Sequence, residues 1–170
     1  MQLESVKMAF LALPWLLHAQ IRPDFSGEWT RVDSVSEQRS VASVGDAAFR
    51  VGDMGTGWGS PLTLHQQGNQ LVVEYTHFST YDLQPKLRFV YTLDGSESRN
   101  VIMIGHAESV GRSRTAWRDS TLVITTIWPA PQGMNGPTEV RQALILESPT
   151  SLLIETTRGA STTRARYRKG

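Results

Sequence analysis

The sequence has no cysteine among its 170 residues. Disulfide staples, thiolate metal sites and cysteine nucleophiles are excluded by that absence. Charge of one sign is also missing. The formal net charge is +1, so bulk electrostatics supplies no strong pull toward nucleic acid or a membrane, and charge-driven binding has to come from a local patch. No apolar run reaches the roughly 20 residues that a membrane-spanning helix requires. The histidines are few (His18, His65, His77 and His106), and no two have His-x-His or His-x3-His spacing. A metal site is therefore not expected. No serine lies in Gly-x-Ser-x-Gly, which removes the esterase elbow. Hydrophobic residues at 39% and charged residues at 19% are ordinary soluble values, compatible with one packed domain.

What is present begins with a short polar start carrying Lys7, an apolar run from Met8 to Leu17, and His18-Ala19-Gln20. This reads as a secretory signal peptide over residues 1–20, which would place the chain in the periplasm or outside the cell. If the segment is retained, Phe10, Leu11, Leu13, Trp15, Leu16 and Leu17 need an apolar host, either a membrane surface or a partner. Residues 21–170 are left as a single domain.

From Pro23 the pattern is of short alternating segments broken by turn signals. Expected strands run over 25–32, 62–65, 71–78, 87–93, 100–106, 112–117, 122–128, 138–146, 152–157 and 162–169. Gln67-Gly68-Asn69-Gln70 predicts a hairpin with Leu64 across from Val73. Leu62, Leu64, Leu71, Val73, Tyr75 and His77 then share one core-facing side. Regular spacing and short turns predict an all-β, antiparallel up-and-down barrel of about 8–10 strands, closed because closure removes exposed edges. An open two-sheet sandwich is the alternative.

Asp24-Phe25-Ser26-Gly27-Glu28-Trp29-Thr30 resembles the opening strand of lipocalin-like (calycin) barrels, whose signature is Gly-x-Trp. The resemblance implies a structural role for Gly27 and Trp29, with the tryptophan closing the barrel floor under an arginine of the last strand, here Arg166 or Arg168. A cation over an indole face is worth on the order of 1 kcal/mol. Residues 24–32, 61–73, 91–95, 121–126 and 166–169 also resemble a broad group of exported bacterial proteins of uncharacterised function. That likeness implies no activity. The second and third lipocalin motifs are not recognisable, so ligand binding is not inherited with the fold.

Candidate sites are few. His77 ends the core-facing row beside Tyr81 and Asp82, and this trio could perform acid/base chemistry at a barrel rim, although no nucleophile accompanies it. Gly55-x-Gly57-x-Gly59 runs into a strand rather than a helix, which argues against a phosphate cradle. Trp58 within that stretch is either a contact residue or a lid over the barrel end. Arg164, Arg166 and Arg168 alternate along one strand, and Arg112, Arg114 and Arg118 along another. Such rows are a solubilising face or a docking surface for an anionic partner.

No catalytic residue and no cofactor are assigned. The expectation is a non-catalytic exported barrel that docks on a membrane complex or membrane surface as a scaffold subunit, for example on a photosynthetic reaction-centre assembly. Its partner-binding residues would be Trp58, His77, Tyr81, Asp82, Arg112, Arg114, Arg164, Arg166 and Arg168. One alternative is a carrier of a small apolar ligand lined by Leu62, Leu64, Val73, Tyr75, Phe89 and Tyr91. The other is an enzyme with a His77/Tyr81/Asp82 rim site.

Overall fold

The computed structural model describes residues 22–32, 58–76, 86–104, 107–130 and 136–170. The apolar leader, most of the glycine-rich stretch, and His77, Tyr81 and Asp82 lie outside the described residues. Ten strands account for most of what is described. They are β1 (Gly27–Arg31), β2 (Leu62–Gln67), β3 (Gln70–Thr76), β4 (Lys86–Thr92), β5 (Ser98–Ile104), β6 (Ala107–Arg118), β7 (Thr121–Trp128), β8 (Thr138–Ser148), β9 (Ser151–Arg158) and β10 (Ser161–Lys169). They form one antiparallel sheet in the order β4-β3-β2-β1-β10-β9-β8-β7-β6-β5. Each ladder joins strands adjacent in sequence, except that β1 pairs with β10 and so brings the first and last strands together. The sheet rolls into a nearly closed up-and-down barrel, not a two-sheet sandwich.

Alternation explains the strands. In β2 and β3, Leu62, Leu64, Leu71, Val73 and Tyr75 point inward and are buried, while His65 and Gln67 are exposed. The register is the one the hairpin turn dictates, with Leu64 opposite Val73 and Gln67 opposite Gln70. The core continues around the barrel through Phe89 and Tyr91, Leu122 and Ile124, Leu144, Leu152 and Ile154, and Ala165 and Tyr167.

The tenth joint, between β4 and β5, is made differently. Asn100 reaches across with its side-chain amide. Its Oδ1 accepts from the Val90 N–H at 2.7 Å and its Nδ2 donates to the Val90 carbonyl at 3.1 Å. Ser98 Oγ accepts from the Thr92 N–H at 2.8 Å, and Thr115 Oγ1 donates to the Thr92 carbonyl at 2.6 Å. Three side chains thus satisfy the backbone groups that a neighbouring strand would otherwise pair.

One end of the barrel, the base, carries the tight connections β2–β3, β6–β7 and β8–β9 and the short β4–β5 turn. It is plugged by aromatic rings. Trp29 is fully buried, and its Nε1–H donates to the Phe25 carbonyl at 3.0 Å. Phe25 stacks on half-buried Trp117 with ring centroids 6.1 Å apart, and Arg22 lies 5.2 Å from the Trp117 centroid. The cation over Trp29 is Lys169, with Nζ 5.5 Å from the ring centroid, which corrects the expected Arg166 or Arg168. Strand parity is the reason. Ala165 and Tyr167 are buried and face inward, so Lys169 shares their side, whereas Arg166 and Arg168 point out. Gly27 makes room for that lysine: a Cβ at this position would collide with Lys169 Cε.

The opposite end, the rim, receives the connections β1–β2, β3–β4, β5–β6 and β7–β8, which include the three longest in the chain. The β5–β6 and β9–β10 connections at that end are each two residues long.

Candidate functional site

The inside of the barrel is the first place to look. Its two walls differ. Strands β1 to β4 present apolar and aromatic side chains, whereas β5 to β9 also bury Ser98, Asn100, Ser109, Ser113, Thr115, Thr126, Gln142 and Thr156. Part of this polarity is consumed by the β4–β5 joint. Another part is paired internally, as between Ser113 Oγ and Thr126 Oγ1 at 2.8 Å. The apolar side chains expected to line a carrier cavity are buried, and they fill the space with one another. Tyr75 stacks on Phe89 at 6.0 Å and Phe89 on Tyr91 at 6.4 Å.

Among the described residues, a cavity of about 10 Å³ lies in this interior, bounded by Trp58, Tyr75, Phe89, Tyr91, Trp128 and Gln142 among others. That is room for a single water molecule. Burial drives the Tyr75 and Tyr91 hydroxyls well above the ordinary phenol range, so both stay neutral and act only as hydrogen-bonding groups.

Trp58 stoppers this interior from the rim side. It is only 4% exposed. Its ring lies 6.2 Å from that of Tyr91, its backbone carbonyl accepts the Tyr167 O–H, and its side chain hydrogen-bonds Tyr91. The ring is thus packed into the barrel end and not presented on the surface.

The outside sorts the arginines. On β10, Arg164 Nε sits 2.6 Å from Glu155 Oε1, and Arg166 grips both oxygens of Glu147 at 2.8 Å. That bidentate bond, helped by Ser151, lowers the Glu147 carboxyl to about 2. Arg168 lies across from Thr30 and Ser151. On β4, Lys86 and Arg88 both engage Glu74, at 2.8 and 3.3 Å. On these faces every one of the cations named except Arg168 meets a carboxylate of the chain.

The face of β5 to β8 is different. Along one cross-strand row run Arg99, Arg112, Ile127 and Glu139, and along the next Arg114, Thr125 and Arg141. A Val101–Val110 pair and Glu108 lie beyond Arg99 and Arg112, toward the rim. Among the described residues Arg112, Arg114, Arg141, Glu108 and Glu139 have no ion-pair partner within 4.0 Å. Arg99 meets only its own strand's neighbour, Glu97, at 3.2 Å. Three large aliphatic side chains are exposed in the same area: Val101 at 54%, Val110 at 39% and Ile127 at 47%.

The two arginine rows read from the sequence are therefore not equivalent. Arg112 and Arg114 belong to an uncompensated patch; Arg164 and Arg166 do not. Ile127, Glu139 and the two valines were missed by sequence reasoning. Their signal is parity: in the run Leu122 to Trp128 an inward Trp128 forces Ile127 outward. Among the described residues no three metal-ligating side chains converge. No protein-family model matches the chain, and no curated protein is recognisably similar to it.

Proposed function

We propose that this chain is a non-catalytic, exported, lipocalin-like barrel that serves as an interaction module, docking extrinsically on a membrane complex as a scaffold subunit. One observation carries the reading: the described interior is full. A carrier of this architecture needs a cavity of at least about 300 Å³, and the cavity present is about 10 Å³. With the inside occupied by its own side chains, the barrel offers its outer surface and rim as working parts. The experiment is rebinding. Membranes from cells that make the protein are washed in high salt, and purified chain is added back. Saturable retention supports docking. Absence of retention, together with saturable uptake of a small apolar ligand, would replace this reading with the carrier.

A further inference from the structure

Resting on the docking reading, we infer that the working surface is the outer face of β5 to β8, and that its occupant is a protein surface of mixed charge. Carboxylates of that surface would meet Arg112, Arg114 and Arg141, and a cation would meet Glu139, around an apolar centre at Val101, Val110 and Ile127.

Three observations select this face and this partner. First, most outer charges elsewhere are matched within the chain, as in Glu74 with Lys86 and Arg88 on β3–β4, and Glu155 with Arg164 and Glu147 with Arg166 toward β9 and β10. Charges on the β5–β8 face are left open beside the exposed aliphatic residues. An apolar centre with unpaired guanidiniums at its edge has the composition of a protein interface, where arginine is enriched and charge complementarity sets register.

Second, the open charges are of both signs. Glu139 lies directly beyond Ile127 from Arg112, and Glu108 lies in the next outward position of β6 beyond Val110. An anionic lipid surface would attract the arginines and repel these two carboxylates. A protein can answer each sign in place.

Third, a second copy of this chain fits poorly. A two-fold axis along β7 would set Ile127 against Ile127 and Arg112 against Glu139, which is favourable. The adjacent row, Arg114–Thr125–Arg141, would then press arginine against arginine.

The sign pattern makes the test decisive. The probes are the salt-washed membrane fraction, liposomes of the lipids extracted from those membranes, and the protein alone in sedimentation. R112E and R114E are expected to weaken membrane rebinding by about tenfold or more each, within the range for opposed interface charges. E139R is expected to weaken it as well, I127D to abolish it, and R168E, on β10 and away from this face, to leave it unchanged. The lipid-only liposomes should hold none of the chain. Unaltered thermal melts show that each exposed variant is folded, and R112Q and E139Q give the same directions with less disturbance. Tighter rebinding by E139R, or retention on the liposomes, overturns the protein partner in favour of lipid. A concentration-dependent dimer abolished by R112E overturns it in favour of a second copy. If the parent rebinds and every variant matches it, docking survives and this face is wrong; if the parent fails to rebind, docking itself fails.

Discussion

Gly27 and Gly111 each stand where another residue's side chain has taken the space that a Cβ would need. At Gly111 the intruder is the Trp128 ring, whose nearest atoms lie 2.7 Å from an ideal Cβ. That ring is buried and hemmed in, so Gly111→Ala should cost about 1–3 kcal/mol through overpacking, read from urea unfolding. At Gly27 the intruder is the flexible Lys169 stem, which can move, but the backbone φ of +145° is one that side chains rarely adopt. Gly27→Ala should therefore cost about 1–2 kcal/mol through strain even after the lysine yields. Glu147 supplies a second prediction. The Arg166 bond, aided by Ser151, holds its carboxyl at about 2, against 4.5 unperturbed. A carboxyl lowered on folding adds stability that is complete above the unfolded value and is lost as pH falls toward the folded one. Melting temperature should thus decline between about pH 4.5 and pH 2, and Glu147→Gln should make that decline shallower. An equal slope in the two proteins would show that the pair contributes nothing in solution.

At the scale of the strand, nine of the ten joints are ladders of main chain and the tenth is held by Asn100, Ser98 and Thr115. Removing the amide with Asn100→Ala leaves the Val90 N–H and carbonyl without partners, at a cost of about 1–3 kcal/mol. Amide exchange at Val90 and Thr92 should accelerate by about tenfold or more while β8 and β9 stay protected; uniform acceleration would mean that the joint is not a local unit. This is also where sequence reasoning stopped. The β2–β3 hairpin was legible because Gly68-Asn69 fixes a register and the leucines confirm it. The cation over Trp29 was misassigned to an arginine, although the buried Tyr167 determines which residues of β10 turn inward. The β4–β5 joint was not legible, because a polar residue on an inward position looks the same whether it faces water, a ligand or a bare strand edge.

At the scale of the whole molecule, the described residues combine a base plugged by aromatic rings, an interior covered by Trp58 and an outer face with charges left without ion pairs. A fluorescent apolar probe of fatty-acid size should show no saturable uptake, and Trp58→Gly should be the substitution that first permits it, since Trp58 occupies the space such a probe would enter. Saturable uptake by the unaltered chain would return the carrier to first place. The candidate patch was half visible beforehand. Arg112 and Arg114 stood out as a row, but so did Arg164 and Arg166, and only the pairing of the latter with Glu155 and Glu147 separates them. Charge compensation between strands distant in sequence is a property of register, which no single segment displays.

Because the last joint is closed by side chains, its strength is open to change one codon at a time. The other nine depend on peptide groups that every residue except proline supplies, so substitution hardly touches them. Asn100, Ser98 and Thr115 act as a removable hem: with them the last joint is fastened, and without them a strand edge is offered to whatever extended chain is nearby.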